Sequence, residues 1–215
     1  KKERMSIFII ALLSLSNLLG LSTVTAQEVA NTPLTKEEWQ ATPLYQGSYV
    51  GVDLYGLGSK LFGSDFTTAE VSAEVNLKNR YFPIVEIGYG QTDMTNEETE
   101  IHYKTSAPYF RIGASYNVFY KKPYLPGQFL VGLRYGFTSF SYDVDAPPLT
   151  DPSWGAPTIP FSYEGVKSNA SWLEIVIGLK ANVYKSIYMG LALRYRSRMS
   201  MKAAENSEPY YIPGY

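Results

Sequence analysis

Residues 127–138 read Gly-Gln-Phe-Leu-Val-Gly-Leu-Arg-Tyr-Gly-Phe-Thr, and this order decides the fold. Phe129, Val131, Leu133, Tyr135 and Phe137 recur at every second position. Gly132, Arg134 and Gly136 fill places between them, with Leu130 an apolar exception. Successive side chains of a β-strand point to opposite faces. The stretch therefore describes a strand with one bulky apolar face and one face that combines charge with small volume. Gly51, Gly88, Gly113, Gly132, Gly136, Gly178 and Gly190 all share a face with charged residues. On a solvated sheet glycine weakens the strand and gains nothing. Inside a narrow barrel, whose interior is filled by side chains, it makes room for long neighbours. The pattern predicts an all-β fold, an antiparallel up-and-down transmembrane β-barrel with its apolar face toward lipid.

Strand parity assigns the interior. Asp53, Glu70, Glu74, Glu86 and Glu174 supply carboxylates, and Arg111, Arg134, Lys180, Arg194 and Arg196 supply cations. Facing lipid, each Arg or Lys would cost ~2–4 kcal/mol at the midplane, so the set is placed inward. Balanced charges in a narrow space are expected to pair in hydrogen-bonded networks. The interior is accordingly read as plugged rather than conducting.

Alternation and turn signals place strands at 47–57, 67–78, 82–92, 100–119, 127–143, 163–183 and 186–203. Short connections at 79–81, 120–126 and 184–185 alternate with longer ones at 58–66, 93–99, 144–162 and beyond 203. Short turns on one side and long loops on the other are the habit of outer-membrane barrels. Such barrels have an even strand number, so eight strands are expected with the last one missing from this chain. Pro209 and Pro213 prevent residues 209–215 from forming a central closing strand. Two alternatives stay open, in which seven strands close with a partner chain or the N-terminal tail fills the gap. Tyr81, Phe82, Phe119, Tyr120, Tyr124, Tyr184 and Tyr188 gather beside the short turns, where an interface girdle is expected.

The N-terminus points to the same compartment. Lys1, Lys2 and Arg4 precede the apolar run 7–21, which ends at Val24-Thr25-Ala26 before Gln27. This reads as a signal peptide over 1–26, followed by a periplasmic tail over 27–45 and a barrel over 46–215, C-terminally incomplete. Within the tail, Thr35 and Glu38 form a capping-box pattern for a short helix. The chain has 19 tyrosines and no cysteine, which excludes disulfides and a lipoprotein's +1 cysteine. With 19 basic and 20 acidic residues there is no nucleic-acid footprint.

Catalytic constellations are thin. The single histidine, His102, stands in His102-Tyr103-Lys104, and Ser106 lies four residues along the strand, ~13 Å away. No metal-ligand spacing or phosphate-cradling loop is present, so no enzyme, metal or cofactor is expected. Loop 91–100 carries Asp93, Glu97, Glu98 and Glu100. Loop 144–162 carries Pro147, Pro148, Pro152, Pro157 and Pro160 around Trp154, a stiff segment suited to partner contact.

The signal peptide, the glycine-plus-charge interior and the tyrosine-rich girdles resemble the small eight-stranded outer-membrane proteins of the OmpA/OmpX type. The chain is also similar to a family of Gram-negative outer-membrane barrels with a proline-rich third outer loop. The resemblance covers about 45–215 and implies a fold and a location, the bacterial outer membrane, with no catalytic residues. The expected function is a structural or interaction role, through the extracellular loops or as an accessory subunit of a larger outer-membrane assembly. Expected partners are outer-membrane lipid, lipopolysaccharide and other outer-membrane proteins. The alternatives are a small pore or a lipid A-modifying enzyme.

Overall fold

The computed structural model describes residues 12–17, 32–53, 56, 58, 64–149, 159–202 and 209–215. A short strand β1 (Leu12–Asn17) and a helix α1 (Lys36–Ala41) precede seven longer strands. These are β2 (Tyr45–Asp53), β3 (Phe66–Leu77), β4 (Tyr81–Thr95), β5 (His102–Asn117), β6 (Gly127–Leu149), β7 (Ile159–Tyr184) and β8 (Ile187–Lys202). From β2 to β8 each strand pairs antiparallel with the next, in one up-and-down sheet. The backbone of β1 pairs along both edges of that sheet, with Ser14 opposite Asp53 of β2 and Gly190 of β8.

The alternation read from residues 127–138 governs burial. On β4, Phe82, Ile84, Glu86, Gly88 and Gly90 are buried, while Tyr81, Val85, Ile87 and Tyr89 are exposed. The same phase holds on β5 to β7, so the sheet has a polar inner face and an apolar outer one. The sheet curls until inner-face residues of distant strands touch. Lys180 of β7 pairs with Glu74 of β3, and the rings of Tyr49 on β2 and Tyr188 on β8 stand edge-on at 5.1 Å. The short turns are tight by backbone choice. Lys78 and Asn79 both take φ 53°, the mirror-image turn whose twist matches a hairpin.

Strand limits differ most at the long-loop end. β6 and β7 form a hairpin that runs to Leu149 and back from Ile159, well into the stretch read as a loop over 144–162. Proline cannot donate to a ladder, and the pairing register shifts between Ala146 and Leu149, which accommodates Pro147 and Pro148. Those two prolines are exposed. Pro160 lies within β7, and Pro152, Trp154 and Pro157 lie outside the described residues. Loop 91–100 shrinks likewise, because β4 continues to Thr95 with Asp93 opposite Lys104. A turn follows, closed by the Asn96 side-chain carbonyl, which accepts from the backbone N–H groups of Glu98 and Thr99.

The expected helix is present, starting directly after Thr35 and running through Trp39 to Ala41. Thr35 is its N-cap: its hydroxyl accepts from Glu38 N, and its own backbone N–H donates to the Glu38 carboxylate at 2.8 Å. These hydrogen bonds, the backbone one foremost, hold the Glu38 carboxyl below its ordinary pKa. The helix docks on the short-turn end, where Trp39 Nε1 donates to the Lys78 carbonyl at 3.3 Å.

Close packing on the inner face depends on missing side chains. A Cβ at Gly136 would fall inside the Trp172 indole, directly across the β6–β7 pair. Gly136→Ala is expected to destabilise the protein by ~1–3 kcal/mol through overpacking. Urea unfolding in detergent micelles, followed by tryptophan fluorescence, measures this, and an unchanged midpoint would contradict the packing.

Candidate functional site

The inner face has two levels. Toward the short turns it carries the charges, and toward the long loops it carries aromatic rings.

Arg111 of β5 sits at the centre of the charged level and is 1% exposed. Strand pairing places Arg111 opposite Glu86 on one side and Gly136 on the other. Its guanidinium forms an ion pair with Glu70, reaches Glu86 Oε2 at 2.8 Å through Nε, and reaches Glu174 Oε1 at 3.1 Å through Nη1. Arg194 of β8 shares all three carboxylates, at 3.2 Å to Glu70, 3.4 Å to Glu86 and 3.7 Å to Glu174. Arg196 Nε lies 3.1 Å from Glu174 and Arg134 Nε lies 3.4 Å from Glu86. Arg134 also donates to Ser115 Oγ at 3.0 Å. Lys180 pairs with Glu74, and its ammonium stands 4.0 Å from the Tyr49 ring centroid. Asp53 is buried on the same face, accepting from the backbone N–H of Gly56. All ten side chains predicted from parity therefore lie on one face. Seven of them, Glu70, Glu86, Glu174, Arg111, Arg134, Arg194 and Arg196, form one connected set of ion pairs, and among the described ion pairs Lys180–Glu74 is a separate one. A cavity of about 100 Å³ lies beside them, lined by Asp53, Glu70, Glu74, Glu86, Arg134, Lys180 and Arg194 among others. Leu130, the apolar exception, lines the same cavity.

The aromatic level consists of residues that the sequence reading does not assign to the interior. Tyr103, Tyr109, Phe140, Tyr142 and Trp172 are buried on the inner face, in phase with the charged residues of their strands. Parity alone would have found them, since Tyr109 precedes Arg111 by two residues and Trp172 precedes Glu174 by two. The two levels are joined by hydrogen bonds. Tyr109 Oη donates to Glu70 at 2.8 Å, and Trp172 Nε1 donates to Glu174 at 2.7 Å.

Residues 209–215 complete this level. They form no strand, as their prolines imply, and fold onto the inner face instead. Pro209, Ile212, Pro213 and Gly214 are buried. The Tyr211 ring lies 5.0 Å from Phe66 and its carbonyl accepts from Tyr103 Oη at 2.9 Å. Tyr215 stands edge-on to Trp172 at 5.9 Å. Burial pushes the Tyr211 phenol up to about 12, so it stays neutral at physiological pH.

Two members of the expected girdle are corrected. Phe82 is fully buried and Tyr188 half-buried on the inner face, because both share the phase of the interior residues. Tyr81, Phe119 and Tyr184 are exposed beside the short turns. There Arg80 is enclosed by Trp39, Tyr81, Tyr116 and Tyr120, with ring centroids 4.7–5.4 Å from its guanidinium carbon. At the opposite end His102 lies on the outer face, with Thr95 Oγ1 2.9 Å from Nδ1 and Asp93 3.4 Å from Nε2. The Asp93 and His102 side chains are 54% and 42% exposed. Ser106 makes no contact with His102 among the described hydrogen bonds, and no cluster of three metal-ligating side chains occurs among the described residues.

Glu174 is fully buried and holds three arginines. Glu174→Gln is expected to destabilise the fold by ~3–5 kcal/mol, because removing one partner leaves buried charge uncompensated. Urea unfolding with tryptophan emission as reporter tests this; a loss under ~1 kcal/mol would mean the network contributes little.

A family model described as Domain of unknown function (DUF6048) matches residues 5–215. No curated protein and no solved structure matches the chain.

Proposed function

We propose that this chain, which belongs to the DUF6048 family, is a non-enzymatic bacterial outer-membrane β-barrel that works through its outer loops and its wall. The observation that carries the reading is the inversion of the usual arrangement. Val85, Ile87, Tyr89, Phe110, Ile112, Leu133, Tyr135, Phe137, Ile175, Leu179, Leu191, Leu193 and Tyr195 are all exposed, while the charges are buried and paired. An exposed apolar surface of this extent suits only lipid or a protein partner. On β6 the outward apolar run from Phe129 to Phe137 covers roughly 27 Å of strand, or roughly 21 Å of membrane thickness at a tilt of about 40°. Polar residues then begin together, with Gln91 opposite Ser106 and with Ser139, Ser171 and Ser197 on the following strands.

Closure is supported by the pairing of β1 with both β2 and β8, which seats a strand between the two edges of the sheet. Residues 12–17 belong to the apolar run that the leader reading assigns to export, so the position they occupy is that of an eighth strand. No helix among the described residues is long and apolar enough to cross a membrane, and strands are the crossing elements in this reading. A pore is disfavoured by the charged level and by residues 209–215, which leave a cavity of only about 100 Å³ beside the charges. A lipid-modifying enzyme is disfavoured by the exposed setting of His102 and its lack of a serine partner. The role that fits is attachment, either as a surface-binding protein or as an accessory subunit of a larger outer-membrane assembly.

Leu133 sits near the middle of the apolar band and is 55% exposed. Leu133→Arg is expected to cost ~2–4 kcal/mol in the membrane and to deplete the protein from the outer-membrane fraction, with Leu133→Ala as a mild control. Fractionation, together with the shift in gel mobility between unheated and heated samples, reads this out. Recovery of the unaltered protein in a soluble fraction would overturn the membrane reading.

A further inference from the structure

Residues 209–215 read Pro-Tyr-Tyr-Ile-Pro-Gly-Tyr and lie in a seat built from six rings: Phe66, Tyr103, Tyr109, Phe140, Tyr142 and Trp172. The seat has features of a recognition site. Tyr103 Oη donates to a backbone carbonyl, that of Tyr211, and the segment then closes a turn in which Tyr215 N donates to the Ile212 carbonyl at 3.1 Å. Gly90 leaves the space that Tyr211 and Pro213 use: a Cβ there would stand 3.0 Å from Tyr211 Oη and 3.3 Å from Pro213 Cβ. Gly214 takes φ +84° with its Cα against the face of Tyr109, where a side chain would strike the ring. Beneath the seat the charged level forms a continuous floor, from Arg111 to Glu70, Glu174 and Arg194. Removing the segment would therefore leave a blind pocket and not a pore.

We propose that this seat is a peptide-binding pocket, held in cis by the chain's own segment, which takes a tyrosine- and proline-bearing peptide of a partner in the same turned conformation. The proposal rests on the membrane reading only for its orientation, in which the pocket opens toward the cell exterior. The chemistry of the seat selects the ligand. Aromatic walls favour tyrosine and proline side chains, the buried Tyr103 phenol needs an acceptor, which a backbone carbonyl supplies, and the cleared volume at Gly90 admits the proline. The cis segment joins β8 through residues 203–208, and so short a tether competes at an effective concentration near ~1 mM. A peptide added in trans is thus expected to bind the unaltered protein weakly and a variant with its own segment excluded strongly.

The absence of cysteine allows a direct test on the full chain in detergent micelles. Two cysteines placed by Gly90→Cys and Pro213→Cys have Cβ positions about 3.3 Å apart, close to the disulfide range of ~3.5–4.5 Å, and lock the segment in its seat when oxidised. Gly214→Val excludes the segment by collision with Tyr109. A fluorescent peptide Glu-Pro-Tyr-Tyr-Ile-Pro-Gly-Tyr is titrated and its anisotropy followed. The expected result is binding at least tenfold tighter to the Gly214→Val protein than to the unaltered one, with none to the oxidised double-cysteine protein and recovery on reduction. Equal binding to locked and unlocked forms, no binding to either variant, or failure of the two cysteines to cross-link would each overturn the proposal. A mispositioned protein would instead fail in fractionation while still binding peptide in micelles, so the two readings fail separately.

Discussion

Arg111 is a full positive charge with almost no exposure, and the rest of the interior is arranged around it. A buried guanidinium is tolerable only where carboxylates and hydrogen bonds replace its water. Here Glu70 comes from β3, Glu86 from β4 and Glu174 from β7, so one side chain ties together strands far apart in sequence. Each of those carboxylates is shared with Arg194, and Glu174 with Arg196. Neutralisation is collective, and no single pair could be moved alone.

That arrangement specifies register more than it adds stability. A slip of one residue on any strand would turn its charges outward and its Leu, Ile and Phe side chains inward. Repacking can absorb an apolar slip, but not an unpaired buried arginine. Glycine serves the same end: Gly136 admits the Trp172 ring, and Trp172 in turn donates to Glu174. Packing on one level thereby orients the acceptor on the other.

The two levels differ in chemistry. The charged level is a set of paired ions, and residues 209–215 of the chain itself pack on the aromatic one. The two ends of the molecule differ as well. At the short turns Trp39 of α1 and the rings around Arg80 tie the N-terminal helix to the sheet, and Lys78 stands 5.2 Å from the Trp39 ring. At the long-loop end Asp93, His102 and Lys104 form an exposed cluster on the outer face, just beyond the apolar band.

Much of this was legible in the chain itself. A period of two is local, so the alternation at 127–138 and its recurrences determined the strands, the two faces and the residues of the charged level. The Thr35 and Glu38 capping pattern is local too, and its helix formed. Phe82, Tyr188, Trp172 and Tyr109 were equally open to parity but were read for their residue type instead, as girdle aromatics or not at all. Other features had no local signal. The extension of β6 and β7 past Pro147 depends on a register shift between two strands. The choice of Glu70, Glu86 and Glu174 as the partners of Arg111 depends on how far the sheet curls. That residues 209–215 would fold onto the inner face, and not simply fail as a strand, depends on a cavity whose walls come from β3 to β7. The sequence by itself determined which way each side chain points, because that is set by the backbone of one strand. Only the tertiary structure decided which side chains meet, because that is set by the curvature of all of them together.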